Sequence, residues 1–331
     1  MFRSVRWWLL LPMALSLAAC ATPGIGSRPG QAQLIGEVAA ATGKSPVKLK
    51  ALLDGAHRQQ SIIDAMNRPA ESLPWPAYRK IFMTPARIQA GIAFYRQHRA
   101  LLDRISATYQ VPAAYLVAIL GIETNYGRVT GHYKVLDALV TLAFYYPPRA
   151  AFFRSELKAL LELPPDKLAG PLASLTGSYA GAQGWGQFMP SSIKDYAVDA
   201  DHDGRIDLMH SLPDILASVA NYFHAHGWTS GAPVAVRVDA QVTAHKPDAG
   251  KPQYPVEQFE AWGYAPLAAV DPGQPATLLS LRNGKGSLDW LTFHNFQVIT
   301  RYNNSPMYAM VVHQLAAAIA AGATDAPRVA P

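Results

Sequence analysis

The stretch VPAAYLVAILGI at 111–122 carries no charged residue. A helix apolar on every side has no face to offer to water, so this run reads as a buried helix. The chain must therefore supply a core large enough to enclose it. Its 331 residues suffice for one large domain plus a smaller one. Pro112 falls in the first turn, where a missing N–H costs nothing, and Gly127 is the expected stop. The polar string ETNYGR at 123–128 follows at once, so Glu123 is expected near the helix C-terminus. The backbone dipole there disfavours negative charge. The residues one turn back, Leu120 and Ile119, are apolar. Both effects push a carboxyl pKa up, and a carboxyl protonated near neutral pH can serve as a general acid. The alternative is a helix-end salt bridge from Glu123 to Arg128 or Lys134, since buried ion pairs also perturb carboxylates.

The chain opens with Arg3 and Arg6, then an apolar stretch at 7–17 too short to span a bilayer as a mature helix. A basic start, an apolar core and small residues at the cleavage point make a secretory signal over 1–19. The LAAC sequence at 17–20 resembles a bacterial lipoprotein box, in which Cys20 is lipidated and becomes the mature N-terminus. An ordinary signal peptide with an incidental cysteine is the alternative. Ala21 stands where an aspartate signals inner-membrane retention, so the resemblance implies the periplasmic face of the outer membrane, lipid-anchored. Cys20 is the single cysteine, which excludes an intrachain disulfide and cysteine-based zinc or nucleophile chemistry in the mature body.

Half of the residues are apolar and 16% are charged, which excludes a disordered chain. A net charge of +6 suits an anionic partner such as a cell-wall polymer or a membrane surface. Nucleic acid is the rival, but the basic residues are scattered and no recognisable nucleic-acid motif is present.

Residues 20–34 read as a flexible tether, rich in Gly, Pro, Ser and Gln. Helical patterns dominate 35–228, with starts at Ser45 and at Thr84-Pro85, one helix over 88–104, two flanking the YYPP break at 145–148, and another over 214–226. The alternating segments 234–238 and 277–281 mark a small strand-rich insert over 229–296. A last helix over 307–321 belongs to a return to the core at 297–324, and 325–331 reads as a disordered tail. The fold expected is mainly α, with a small β insert.

Four segments carry chemistry. GSYAGAQGWGQFMP at 177–190 combines glycines, which let backbone approach a ligand, with the flat faces of Tyr179, Trp185 and Phe188. Ser178, Gln183 and Gln187 add hydrogen bonds, a mixture that suits a sugar; a structural turn is the alternative. It is not a phosphate loop, because the Gly-Lys-Ser/Thr ending is absent. DADHDGRID at 199–207 places acids at positions one, three, five and nine, with Gly204 at six, like the start of a calcium loop. Arg205 offers its carbonyl at seven, His210 stands where a bidentate acid is expected, and Asp214 can close the shell. Whether Asp207 joins it is open, and a solvated acidic turn is the alternative. TRYNNSPMY at 300–308 can line a polar cleft or form a surface turn. Arg149, in the YYPPRAAFF segment at 145–153, can bind a carboxylate or carbonyl or merely stand at a helix corner. Trp75 and Tyr78 read by default as core packing.

These segments, with LDAL at 136–139, YPPRA at 146–150, YAVD at 196–199 and SVANY at 218–222, resemble the membrane-bound B-type members of the lysozyme-like lytic transglycosylase family. The resemblance is clearest over 73–318. It implies a lysozyme-like helical catalytic core, an additional helical lobe and the small β insert. It implies cleavage of the MurNAc–GlcNAc β-1,4 bond of peptidoglycan glycan strands without net hydrolysis, leaving 1,6-anhydro ends. It implies Glu123 as the sole catalytic carboxyl. Saccharide contacts are implied at Tyr78, Arg149, Ser178, Gln187, Phe188, Tyr222, Tyr302, Asn303 and Tyr308. A structural Ca2+ site is implied at Asp199, Asp201, Asp203, the Arg205 carbonyl and Asp214, with no organic cofactor. Two departures stand out: Pro148 and Phe152 replace an arginine and a tyrosine of the family pattern, and the calcium segment is one residue longer before Asp214. Hydrolysis by a muramidase, and a non-catalytic wall-binding lipoprotein, are the rival functions. Wall-synthesis or remodelling proteins are open as further partners.

Overall fold

In the computed structural model, residues 28–67, 73–241 and 253–324 are described. The signal segment, Cys20 and the tail 325–331 lie outside them. Four helices open the described chain: α1 (Gln31–Thr42), α2 (Pro46–Asp54), α3 (Gln60–Met66) and α4 (Trp75–Phe82), with α1 packed on α2. The expected tether is therefore helical from Gln31 onward. Leu34, Ile35 and Val38 recur at helical spacing and are buried, which fixes the segment to the core. Arg28 ties down its entry by donating to the carbonyls of Leu53 at 2.8 Å and Ala56 at 2.7 Å.

The centre is built from α5 (Pro85–Gln97), α6 (Arg99–Tyr109), α7 (Ala113–Thr124), α8 (Val135–Tyr145), α9 (Ala150–Glu162), α10 (Pro190–Tyr196) and α11 (Leu212–Ala225). Thr84 caps α5 by accepting from the Arg87 N–H, as the Thr-Pro pair predicts. The single helix expected over 88–104 is instead broken at His98. Ile92 and Leu102 are both buried, yet ten residues turn a straight helix by about 280°, so one straight rod cannot point both at the core.

Ten of the twelve residues of α7 are buried. It is enclosed by α5, α6, α11 and the last helix, α14 (Pro306–Thr324). Each fully buried Leu, Ile or Val contributes about 2 kcal/mol of transfer free energy, so α7 can exist only inside this shell. By length and composition α14 could cross a membrane, but half of its apolar window is buried against the other core helices.

Two short strands, β1 (Tyr133–Lys134) and β2 (Thr176–Gly177), pair antiparallel beside the end of α7. The insert holds β3 (Ala235–Ala240), β4 (Tyr254–Pro255), α12 (Val256–Ala261), β5 (Tyr264–Pro266), β6 (Pro275–Asn283) and β7 (Gly286–Thr292). These strands form one antiparallel sheet in the order β4-β6-β7-β3-β5. The Asn283↔Gly286 register leaves Gly284 and Lys285 as a two-residue turn, with Gly284 at φ 63°. The insert has its own apolar cluster, including Val236, Phe259, Leu291 and Phe293. Helix α13 (His294–Tyr302) then returns the chain to the core.

His313 joins the insert to the core. It sits on α14, 2.8 Å from the Tyr115 hydroxyl of α7, with Trp290 of β7 edge-on at 6.4 Å. Burial pulls its pKa down to about 4, against the opposing pull of a hydrogen bond to Ala235 of β3.

Candidate active site

Glu123 lies in the last turn of α7 and is half-buried. The helix stops at Thr124, three residues before the expected Gly127. Asn125, Tyr126 and Gly127 all take left-handed conformations, with φ of 51°, 61° and 81°. The turn is held by side chains. Thr124 Oγ1 donates to the Trp185 carbonyl at 2.9 Å and accepts from the Gly127 N–H at 3.0 Å. The Tyr126 hydroxyl donates to the Arg87 carbonyl at 2.8 Å. Only glycine fits at position 127, because a Cβ there would meet the Trp185 ring at 2.2 Å.

Helix α14 supplies the partner of the acid. Ser305 accepts from the Tyr308 N–H at 3.3 Å, and Pro306 opens the helix, so Tyr308 sits in its first turn. The Tyr308 hydroxyl donates to Glu123 Oε1 at 2.5 Å. Arg128 and Lys134, the cations considered for an ion pair, are exposed. Tyr302 donates to the Gly186 carbonyl at 2.5 Å, and Tyr222 donates to the Arg301 carbonyl at 2.7 Å. The Tyr222 and Tyr302 rings lie 4.8 Å apart, and Phe188 packs edge-on to both, at 6.0 and 5.9 Å.

Burial pushes the Tyr222 hydroxyl up to about 12. The Tyr302 and Tyr308 hydroxyls rise well above the ordinary tyrosine value, first through burial and then through the Glu123 charge. All three therefore remain donors at neutral pH. Among the described residues Glu123 is the one carboxylate whose charge acts on both Tyr302 and Tyr308.

The expected sugar contacts divide into groups. Tyr308 and Tyr302 lie within reach of the Glu123 charge, Tyr222 and Phe188 pack on Tyr302, and the three hydroxyls are engaged within the protein, so these residues form the scaffold of the acid. Tyr78 is only 1% exposed and its charge acts on Tyr308, so it lies in the core beneath the site. Ser178 accepts from the Ala180 and Ala182 N–H groups at 3.3 and 3.1 Å, which shapes the Gly-rich segment. Gln187 donates to the Thr130 carbonyl at 3.1 Å and the Gly184 carbonyl at 2.9 Å, locking the Gln183–Phe188 bridge beside β2. Asn303 directly follows α13, and its carbonyl accepts from the Ser305 N–H at 2.7 Å. Arg149 stands apart from this cluster. It is exposed, with its guanidinium stacked on Phe152 at 4.4 Å and Phe153 at 5.2 Å. Thr124 and Ser305, which fix the acid and its partner, had no visible function in the sequence because their bonding partners are distant or depend on the cap geometry.

The acidic loop forms a second centre. Oxygens of Asp199, Asp201 and Asp214 lie within 4.8 Å of one another. Asp214 is 1% exposed and accepts from the Ala200 N–H at 2.8 Å and the Asp207 N–H at 2.9 Å. Burial raises its pKa, and the charges of Asp201 and Asp199 add to the rise. Asp199 Oδ1 is buried with no hydrogen-bond partner. Clustered carboxylates with an orphaned inward oxygen fit a hard divalent cation. Asp203 falls outside the three-oxygen group and instead accepts from the Arg205 N–H at 2.8 Å. Asp207 is turned to His210, at 3.0 Å.

Residues 27–317 match the family described as the transglycosylase SLT domain. The chain is 38% identical to membrane-bound lytic murein transglycosylase B of Escherichia coli (strain K12), with 95% of this chain and 98% of the relative covered. The solved structure of the Escherichia coli lytic transglycosylase SLT35 in complex with calcium superposes with a TM-score of 0.82, at 40% identity, covering 90% of this chain and 95% of that one. SltB3 from Pseudomonas aeruginosa, solved in complex with NAG-anhNAM-pentapeptide, superposes with a TM-score of 0.75, at 31% identity, covering 88% of this chain and 79% of that one. With that agreement in sequence and backbone, the chain belongs to the lysozyme-like lytic transglycosylases of the SLT domain family.

Proposed function

We propose that this protein cleaves the MurNAc-β-1,4-GlcNAc bond of peptidoglycan and leaves 1,6-anhydroMurNAc ends, with Glu123 as the one proton shuttle. The observation that carries this reading is Glu123 itself: a half-buried carboxyl at a helix end, bonded to Tyr308 and ringed by engaged tyrosines. Most glycosidases that use a water or a covalent intermediate carry a second carboxylate. Here the protonated Glu123 gives its proton to the leaving glycosidic oxygen. The charge growing at C1 is met by the substrate's own 2-acetamido oxygen. The Glu123 carboxylate then takes the proton of the MurNAc 6-hydroxyl as that oxygen bonds to C1. The nucleophile belongs to the same sugar, so its effective concentration outruns water in an apolar site. The NAG-anhNAM-pentapeptide seen with SltB3 supports this product.

Arg149 and Asn303 remain candidates for direct substrate contact: neither side chain is spent on the Glu123 scaffold, Asn303 directly follows α13, and Arg149 stands exposed outside the cluster. Calcium held by Asp199, Asp201 and Asp214 would neutralise the loop and brace it against α11; Asp203 and the Arg205 carbonyl would complete the shell. The calcium complex of SLT35 supports that assignment. Lipidation of Cys20 and residence at the periplasmic face of the outer membrane follow from the lipobox and agree with the membrane-bound relative.

Glu123→Gln tests the assignment. The variant is expected to keep the wild-type fold and to bind purified sacculi, yet to release no soluble muropeptide. Near-native release would remove Glu123 from the mechanism.

A further inference from the structure

A cavity of about 310 Å³ lies away from Glu123, between the acidic loop and the Gly-rich segment. Three stretches wall it: 167–176 leading into β2, the turn at Gln183 and Gly184, and the exit of the acidic loop from Ile206 to His210. Its apolar wall includes Leu175, Ile193, Ile206 and Leu208, each at most 7% exposed. Its volume is at the lower end for a small-molecule site, large enough for one sugar ring or a short acylated amino acid.

Gln183 lines this cavity and is only 7% exposed. Its Nε2 is buried with no hydrogen-bond partner. A buried amide left unpaired costs about 1–3 kcal/mol, so the position calls for an acceptor. The rim carries Lys167, whose ammonium donates to the Lys194 carbonyl at 2.9 Å, and His210, whose Nδ1 is engaged by Asp207. Apolar walls around one unpaired amide complement a ligand that joins a small alkyl group to a carbonyl oxygen.

We propose that this cavity is a second binding site, for a ligand bearing a secondary amide of the acetamido or peptide type. The amide oxygen accepts from Gln183 Nε2, and the methyl or side chain packs against Leu175, Ile206 and Leu208. The site does not depend on the chemistry at Glu123. It does adjoin the support of that residue. The Leu208 carbonyl accepts from the Trp185 N–H at 3.1 Å, and the Trp185 carbonyl accepts from Thr124, the neighbour of Glu123. Gly184 is closed against the same wall, since a Cβ there would meet the Leu208 oxygen at 2.5 Å.

Titration of the isotopically labelled full chain, followed by nuclear magnetic resonance, tests the site. The probes are N-acetylglucosamine for the sugar source and N-acetyl-D-alanine for the peptide source, each up to about 50 mM, as weak fragments require. The expected result is saturable movement of the Gln183 side-chain amide and the Ile206 and Met209 methyls with at least one probe. Which probe saturates identifies the source. Gln183→Met keeps the shape and removes the donor, and should weaken that binding by about tenfold, the worth of one neutral hydrogen bond. Ala169→Trp fills the cavity from its half-buried loop and should abolish binding, so one informative variant remains if the other misfolds. Failure of both probes to saturate these signals would overturn the proposal. So would binding that every folded variant leaves unchanged.

Discussion

The Tyr308 hydroxyl donates a hydrogen bond to Glu123 Oε1 across the packed helices α7 and α14, joining residues 185 positions apart. Neither residue alone defines the site. Glu123 owes its position to the end of a helix that must be buried, and Tyr308 owes its own to the Ser305-Pro306 start of α14.

Removing the hydroxyl should separate catalysis from binding. Tyr308→Phe keeps the buried ring and deletes the bond that holds the carboxyl in place. Turnover on purified sacculi is expected to fall by roughly 10- to 100-fold, the range for a hydrogen bond to a charged group, with little change in KM. Kinetic analysis of muropeptide release checks this. A fall in apparent affinity at unchanged kcat would make Tyr308 a substrate contact instead.

Gly127→Ala should destabilise the protein by roughly 2–4 kcal/mol, combining overpacking with a side chain in a left-handed conformation. The added methyl has no room beside Trp185. Urea unfolding should show a lower midpoint at constant slope, and an unchanged midpoint would refute the tight contact.

Calcium should act on stability. An ion bound to the native state alone stabilises by linkage, ~2.7 kcal/mol at a concentration about 100-fold above its Kd. Chelation is expected to lower the Tm of the wild type and to leave that of Asp199→Asn unmoved. Calorimetry reads both, and a wild-type Tm insensitive to chelator would remove the cation from the loop.

His313 gives stability a pH dependence. An unfolded histidine titrates near 6.5, whereas this one is held down to about 4 by burial, so below pH 6.5 the unfolded chain binds the extra proton first. Stability should therefore fall as the pH drops from 6.5 to about 4, by ~3 kcal/mol in total from this group. His313→Gln keeps hydrogen-bonding capacity without a titration and should flatten that slope in denaturant melts across the range. An equally steep variant would assign the slope to other groups.

The parts of the fold written in local pattern were legible. An apolar run without charge announces α7, alternation announces β3 and β6, and the spacing of Asp199 and Asp201 announces a loop of clustered carboxylates. The His98 break was not legible, because it depends on where the core lies around α5 and α6. The position of Asp203 outside the three-oxygen group was hidden too, since its Oδ1 accepts from the Arg205 N–H. Tyr222, Tyr302 and Tyr308, expected as saccharide contacts, instead engage their hydroxyls within the protein. Their partners, Gly186, Arg301 and Glu123, are all brought in by tertiary packing. Gln183 and Gln187 both offered hydrogen bonds in the sequence, with only Gln187 among the implied sugar contacts, yet Gln187 locks the turn and Gln183 lines a separate cavity.

The most direct measurement is the chemistry of the ends. Purified sacculi digested by the wild-type chain, with Glu123→Gln as control, are separated and weighed by mass spectrometry. The expected muramic termini are anhydro forms, one water lighter than reducing ends, and absent from the control. Reducing ends alone would contradict ring closure by the sugar's own hydroxyl.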